Sequence, residues 1–553
     1  MWLRPALPAE APEITRLVLR SKAHWGYGPA ILAAGAEALT LRPDEIVPRR
    51  VTVAEDDTGL LGVVCLDGAP PRGAVGLLFV EPAVIRRGIG RTLYAHVLDT
   101  ARGLGFRRLT IDPDPHAEPF YLAQGARPAP AGPAGLEAVV RPRSPWAQAW
   151  TGGRRSVHLG NAGEFQAQFG GAAGPATRRA AAHYSCLAAL AGPHPAAVVL
   201  PAAVPAGWID MVARRLGWAR VEVYDGLTES ELLDRPALVR RLRSAGPLLP
   251  WGHTPASQRL TGHRLPPGAL LPESKAVSHE LFRRLAPAHP EIAVPGRWPA
   301  ATRRAAARII AARARTGAAT VLKSEHGAGG SGTSVLTRRP RIRALPRGPL
   351  LLEEYVSGDG THPSYDGLID ARGTVHAVGV AAMTIDGTAY RGATVGPGAV
   401  PPESAGPALR FGRAVGRELA AAGYRGWYDV DFVTGPDGRL APTETNLRLT
   451  GPAAAFMVKD RLDEIRGGDH LVRSVDRVPL GARLPGAELM ALLHRLTAGC
   501  AGIDAVLVPS IPSASYDPDP YLGVILAART PERLDAAEAV VLLACRRLGG
   551  LFA

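Results

Sequence analysis

Lysine is almost missing from this chain. Of 64 basic side chains among 553 residues, only Lys22, Lys275, Lys323 and Lys459 are lysines. The distinction matters, because an ammonium is a compact point charge suited to phosphate, whereas a guanidinium is a planar fork. A lysine kept in so arginine-rich a chain therefore marks a candidate site. Cysteine is equally scarce: Cys65, Cys186, Cys500 and Cys545 lie far apart, without metal or redox spacing. A disulfide framework is not expected, and reduced, mostly buried thiols in the cytoplasm are. Long apolar runs are also lacking. The long uncharged stretch from Leu187 to Ile209 is broken by Pro193, Pro195, Pro201 and Pro205, which suits a buried strand with flanking loops better than a membrane span. No basic segment followed by an apolar one opens the chain, so no secretory leader is expected. Aromatic residues, at 6%, form no stripe interleaved with the basic ones, so nucleic acid is not expected as a partner despite a net charge of +14. What remains, 46% hydrophobic and 21% charged residues, describes a soluble globular protein long enough for three or four domains.

The most informative stretch runs from Asp429 to Arg448. Asp437-Gly438 predicts a two-residue hairpin turn, because a tight turn needs residues that tolerate positive φ. Asp431 and Glu444 are equidistant from that turn and so fall opposite each other, with Cβ atoms about 4.5–5.5 Å apart. Side chains alternate along a strand, so Asn446 and Arg448 share the face of Glu444. Two carboxylates, an amide oxygen and a guanidinium on one strip suit Mg²⁺ carrying a nucleotide polyphosphate, since magnesium takes hard oxygen ligands. The alternative is an exposed hairpin edge with solvated charges. There, opposed Asp and Glu would repel unless a cation lay between them, and a one-residue bulge would break the geometry.

Upstream, Pro299 to Arg315 reads as a helix with proline at its start and Gly317 as its stop. A strand ending at Lys323 follows, then Ser324-Glu-His-Gly327-Ala-Gly329-Gly330-Ser331-Gly332-Thr333. A glycine-rich loop directly after a strand can lay backbone amides against phosphate oxygens. Here the lysine precedes the glycines, unlike a Walker loop. That order, with Lys275 upstream in Glu-Ser-Lys-Ala-Val-Ser and the acidic hairpin downstream, resembles the ATP-grasp superfamily of carboxylate–amine ligases from about Pro272 to Pro452. The resemblance implies that Lys275 and Lys323 contact phosphate and that Gly327 to Thr333, with Gly329, Gly330, Ser331 and Gly332, form a flap over the triphosphate. It implies that Leu351-Leu-Glu353-Glu354-Tyr-Val356 is the hinge strand reading adenine, with Glu353 or Glu354 on the base, and that Asp359 takes the ribose. Asp431, Glu444 and Asn446 would hold the metal, and Arg448 would steady an acyl-phosphate. Arg391 is either the clamp for a substrate carboxylate or a plain surface arginine. Trp251-Gly-His-Thr-Pro255, the strand near Tyr365 and Pro520-Tyr-Leu-Gly-Val-Ile-Leu526 look like pheganomycin-type peptide ligases. Strands at Val157, Val198 and Val221 would then build a preceding α/β domain.

At the amino end, Gly76-Leu-Leu-Phe-Val80-Glu81-Pro82 reads as a buried strand, followed by Arg86-Arg87-Gly88-Ile89-Gly90-Arg91 and a helix from Thr92 to Gly103. A basic, glycine-bearing turn at a helix N-terminus is an anion site by geometry. With Pro119-Phe-Tyr121 and Gly125 further on, the arrangement resembles GNAT acetyltransferases over Met1 to about Pro128. By that resemblance, Val80 and the amides from Arg87 to Arg91, with Arg86, would hold acetyl-CoA, and Tyr121 would protonate the departing thiolate. Glu81 would deprotonate the amine through water. Tyr121 has a second reading as a core aromatic, and Glu81 as a solvated charge. Trp25 and Tyr27 are candidates to line an acceptor pocket.

The expected architecture is α/β and α+β multidomain: a GNAT-like domain (1–145), a pre-ATP-grasp domain (154–270), the ATP-grasp core (271–470) and a small carboxy-terminal α/β subdomain (471–553), with Ala129 to Gly153 as linker. The expected activity is ATP- and Mg²⁺-dependent amide formation between small amino-acid-like acid and amine substrates, joined to acetyl transfer from acetyl-CoA. The other reading keeps the ligase and makes the GNAT-like part a substrate-presenting module. No membrane partner is expected, and a homodimer is compatible with the sequence.

Overall fold

The computed structural model describes residues 1–27, 35–129, 135–140, 144–170, 174–327, 332–346, 350–358 and 360–550. Gly329, Gly330, Ser331 and Asp359, each expected to touch nucleotide, lie outside the described residues. The chain forms two compact units, Met1–Arg143 with Asp460–Gly468, and Ser144–Lys459 with Asp469–Ala553. Both mix helices and sheets, as expected. No described helix is long and apolar enough to cross a membrane. All four cysteines are buried and unpaired.

The first unit is a seven-stranded sheet in the spatial order Trp2–Pro5, Thr52–Asp56, Gly59–Ala69, Arg72–Val80, Arg108–Ile111, Leu136–Val139 and Arg127–Pro128. Strand alternation sorts its core onto two faces. Val63 and Cys65 pack with Ile14, Leu17 and Val18 of the helix Ala11–Ala23, while Val64 and Leu66 pack with Leu93, Tyr94 and Val97 of the helix Ile89–Gly103. One neighbouring pair is parallel: Arg72–Val75 against Arg108–Ile111. A parallel pair needs a crossover, and the helix Ile89–Gly103 supplies it. The pairing stops at Val75, so this ladder does not extend to Gly76–Val80, which leads into the basic turn.

The second unit holds three sheets. The first is parallel, in the order Glu222–Tyr224, Pro195–Val199, Ser156–Leu159, Leu248–Pro250. Its last strand was not anticipated from the sequence. The second is antiparallel, ordered Arg297–Ala300, Leu350–Glu354, Thr320–Lys323, Thr333–Leu336. The third has eight antiparallel strands and runs from Leu440–Asn446 through Gly426–Thr434, Pro363–Ile369, Val375–Asp386, Ala389–Val395, Leu471–Pro479 and Tyr521–Ala528 to Val506–Ile511. Under it, Phe411, Val415 and Leu419 of the helix Pro402–Ala421 pack on Tyr365, Tyr428 and Val430. The intervening residues of the same strands therefore face the other way, toward the site.

Two local expectations are corrected. Pro299 lies in the edge strand Arg297–Ala300, where a missing N–H is tolerated. The helix begins at Arg303, capped by Thr302, whose hydroxyl accepts from the Ala305 amide at 3.1 Å. The presumed linker also contains a helix, Pro145–Thr151, whose Trp146 and Trp150 meet the ring of Trp427 edge-on at 5.8 and 6.2 Å.

Candidate active site

The hairpin brings its acidic residues together by a different route from the one expected. The strands are closed by the pair Thr434↔Leu440, so the loop is the five residues from Gly435 to Arg439. Gly438 takes φ +77° within it. That loop displaces the register by one residue, and a bulge at Thr443 displaces it back. Asp431 faces Glu444 as a result, and Asp429 faces Asn446. The neighbouring strand adds Ser364 beside Asp431 and Asp366 beside Asp429. Cross-strand partners share a face, so two polar rows, Ser364–Asp431–Glu444 and Asp366–Asp429–Asn446, cross three strands. The bulge residue Thr443 is left unpaired in the ladder, and its carbonyl accepts from Lys323 Nζ at 3.0 Å.

Three cations close on this grid, and each is paired. Lys275 Nζ lies 2.7 Å from Glu444 and 3.3 Å from the Gly327 carbonyl. Lys323 Nζ lies 2.7 Å from Glu353. Arg448 Nη2 donates to Asn446 Oδ1 at 2.6 Å, and its Nε lies 3.3 Å from Glu273. Glu273 also accepts from the Leu447 amide. The backbone of this segment is fixed by Trp251-Gly252: Gly252 bridges Arg448, and the Leu449 amide donates to the Trp251 carbonyl at 2.8 Å. A Cβ on Gly252 would fall 2.2 Å from the Phe165 ring, so only glycine fits there. Lys275 opens the helix Lys275–Leu285, which is capped by Ser274; Ser274 also donates to Glu325 at 2.7 Å, tying the helix to the loop after Lys323.

Burial sets the charge states. Asp431 is pushed up to about 7 by burial and then by the facing Glu444. Burial opposes the charge of Glu444 too, yet Lys275 and Lys323 together hold it below the ordinary carboxylate range. Burial pushes Asp366 up to about 8, with the Asp431 charge adding to the effect. Asp431 Oδ1 is buried without a hydrogen-bond partner. Among the described residues no group of three or more His, Cys, Asp or Glu forms a metal cluster. The donor set is instead two facing carboxylates plus the Asn446 carbonyl oxygen, which keeps a lone pair beyond the one Arg448 uses. An unpartnered oxygen beside a facing carboxylate fits a hard divalent cation.

Lys275, Lys323, Asp429, Asp431, Glu444, Asn446 and Arg448 line one cavity of about 350 Å³, together with Tyr184, Glu354, Val356, Met383, Tyr390 and Phe432; Asp366 and Glu273 are not part of its lining. Glu353 is 3% exposed and turned to Lys323. Glu354, next along the strand and facing the other way, accepts from the Gly296 amide at 3.0 Å. Gly332, where the described chain resumes after Gly327, takes φ +78° and returns its carbonyl to the Ser324 amide at 2.9 Å. Arg391 does not line the cavity: it pairs with Asp386 at 3.0 Å. It sits at a register shift in its strand, and Tyr390, one residue earlier, faces the cavity in its place. Asp366, Asp429, Glu273 and Tyr184 were not anticipated as site residues. Asp429 had a signal, since it stands two residues before Asp431 on the same face.

In the first unit, Gly88 takes φ +88° and Arg86 φ +68°, and the helix starts at Ile89, three residues earlier than expected. The Arg87 amide is spent on the Val84 carbonyl at 3.3 Å, which leaves the amides of the first helical turn for an anion. Arg86, Arg87, Gly88 and Arg91 are exposed around that turn. The Ile89 side chain is core. Tyr121 is 6% exposed, its ring 5.6 Å from Tyr94 and 5.1 Å from Phe120, and burial raises its pKa. Glu81 is held by Arg20 at 2.7 Å. Lys22 pairs with Asp114 at 2.9 Å, and Trp25 stacks on His116.

Residues 23–126 match the model of the acetyltransferase (GNAT) family. Comparison with curated proteins finds no match. Among solved structures, carboxyaminoimidazole ribonucleotide synthase from Aspergillus clavatus, complexed with ATP, aligns with 71% of this chain and 99% of its own, at 12% identity and a TM-score of 0.44. Biotin carboxylase from Campylobacter jejuni aligns with 70% of this chain and 91% of its own, at 14% identity and 0.43. The PaiA N-acetyltransferase from Thermoplasma acidophilum, in complex with coenzyme A, aligns with 25% of this chain and 98% of its own, at 15% identity and 0.23.

Proposed function

We propose that the second unit is an ATP-dependent carboxylate–amine ligase of the ATP-grasp type, and that the first is an acetyl-CoA-dependent N-acetyltransferase. The observation that carries the ligase reading is the facing pair Asp431–Glu444 inside a cavity that also holds Lys275, Lys323 and Arg448. A divalent cation bound to Asp431, Glu444 and Asn446 would neutralise phosphate charge. Lys275 and Lys323 would hold phosphate oxygens as charged donors, and Arg448 would orient a substrate carboxylate and then its acyl-phosphate. The carboxylate oxygen attacks the γ-phosphorus as ADP leaves, and an uncharged amine then displaces phosphate to give the amide. Positioning and charge suffice for both steps, so no protein nucleophile is needed. The substrates are amino-acid-like, and the bond formed is a peptide or amide bond of the kind pheganomycin-type ligases make. A role in natural-product biosynthesis follows from that substrate class.

The test is to incubate the full chain with ATP, Mg²⁺ and a panel of amino acids and N-acyl amino acids, using hydroxylamine to trap acyl-phosphate as hydroxamate. ADP and hydroxamate formation is expected for at least one acid. Their absence across the panel, with ATP binding intact, would overturn the ligase reading. One observation favours a second reading of the first unit, as a substrate-presenting module without turnover: Tyr121 sits in the aromatic core. An assay of acetyl transfer from acetyl-CoA to a panel of amines decides between them, because a catalytic domain must release free coenzyme A and a presenting module does not.

A further inference from the structure

Each cation of the cavity is already matched: Lys275 with Glu444, Lys323 with Glu353 and Arg448 with Glu273. Further buried carboxylates are not. Among the described residues, Asp366, Asp429, Asp431 and Asp476 make no ion pair with a basic side chain. Asp431 belongs to the metal grip. Asp366 and Asp429 face each other on adjacent strands, one row further along, and Asp366 Oδ2 is buried with no hydrogen-bond partner. Asp476, on the strand Leu471–Pro479, is 7% exposed, and neither of its oxygens has a partner. The charge of Asp476 bears on both Tyr184 and Tyr390, that of Asp429 on Tyr184 and that of Asp366 on Tyr390. Tyr184 and Tyr390 line the cavity.

Unpaired acids in a dry site resist ionisation, and a ligand that brings the countercharge removes that cost. A substrate carboxylate would be repelled here and belongs with Arg448. An acidic recess with aromatic walls is the environment that recognises an ammonium. We propose that this side of the cavity, walled by Tyr184 and Tyr390 and backed by Asp366, Asp429 and Asp476, binds a non-reacting ammonium, so that the amine substrate is a diamino compound.

This inference rests on the ligase reading and names its acceptor class. The bound nitrogen stays protonated. The second nitrogen attacks as the free base, the C–N bond forms as the C–O bond to phosphate breaks, and the proton it loses leaves on the phosphate. Hydroxylamine is neutral and has no second nitrogen placed for the recess, so it reports the acyl-phosphate independently of this subsite.

The experiment compares lysine with norleucine, and 1,5-diaminopentane with 1-aminopentane, by kcat/KM for amide formation, with the hydroxylamine rate as internal reference. The native enzyme is expected to prefer the diamino member of each pair by about tenfold or more, the size of one charge-assisted contact. Asp476→Asn is expected to remove most of that preference, through KM and not kcat. Tyr184→Leu is expected to reduce it without touching a carboxylate, and ATP titration shows whether each variant is folded. Equal rates for diamino and monoamino substrates in the native enzyme, with hydroxamate still formed, would overturn the inference alone. A preference unchanged in both ATP-binding variants would do the same. No hydroxamate with any acid would instead overturn the ligase reading, and the inference with it.

Discussion

Replacing Lys275 with methionine tests the charge arrangement at its tightest point. The Lys275–Glu444 pair spans 2.7 Å with side chains only 7% and 21% exposed. Removing one partner of a buried pair costs about 3–5 kcal/mol, because the other charge is stranded. Lys323 also bears on Glu444, which places Lys275→Met near the lower end, about 3 kcal/mol. Glu444→Gln strands Lys275 in turn, although the Gly327 carbonyl at 3.3 Å remains to it. The double variant strands neither charge, and neutral replacement of a buried pair is often nearly neutral in stability. A coupling energy of up to about 3 kcal/mol is therefore expected from the four-protein cycle. Because the chain has two compact units, the cycle should be read on the denaturant transition that ATP displaces, and not on a global melt. Strict additivity of the two substitutions would refute the pairing.

Chelating divalent cations should weaken ATP binding, measured by calorimetry, by about tenfold or more, because Lys275 then stays committed to Glu444; Glu444→Gln should make the remaining ATP binding less sensitive to the chelator. Asp476 is an acid pushed by burial from 3.8 up to about 7, so its folded form binds the proton more tightly; its stabilising contribution is full below pH 4 and lost as pH rises to 7. At 1.36 kcal/mol per pH unit the loss approaches about 4 kcal/mol, so Asp476→Asn should be more stable than the parent at pH 8, with the difference closing toward pH 4 in denaturant titrations. Gly412→Ala would place a methyl 2.2 Å from the buried Tyr365 ring, and about 1–3 kcal/mol of overpacking should lower the same ATP-linked transition. Gly88→Ala meets no steric obstacle but forces an alanine to φ +88°, at a cost of about 1–2 kcal/mol, and should weaken acetyl-CoA binding by calorimetry.

Much of the site was legible because strand parity survives small errors. Glu444 and Asn446 are linked by alternation and Asp431 joins them across the ladder, while Arg448, past the end of the strand, is held by its bridge to Gly252; the scarcity of lysine singled out Lys275 and Lys323 from far along the chain. The basic turn before the helix Ile89–Gly103 was legible for a local reason, since Gly88 is a residue that accepts positive φ without cost. The unread parts depend on tertiary packing. Nothing local says that Glu353 turns to a lysine, that Tyr184 reaches the cavity, or that Glu273 meets Arg448, because these contacts join segments far apart in sequence. Arg391 could not be placed from the sequence, because a register shift in its strand breaks the alternation.

The hairpin shows why a correct pairing is weaker support than it looks. A two-residue turn with no bulge and a five-residue loop with one bulge both set Asp431 against Glu444, since the two displacements cancel. They differ at Thr443. In the observed strand this residue is skipped by the ladder, its hydroxyl returns to the Asp431 carbonyl at 3.2 Å, and its own carbonyl accepts from Lys323. Lys323 belongs to a different sheet, so the extra residue ties the lysine of one sheet to the acidic strip of the other. A bulge placed where two sheets exchange a hydrogen bond is a positioning device, and it fixes the distance between the lysine and the carboxylates more firmly than the turn sequence does.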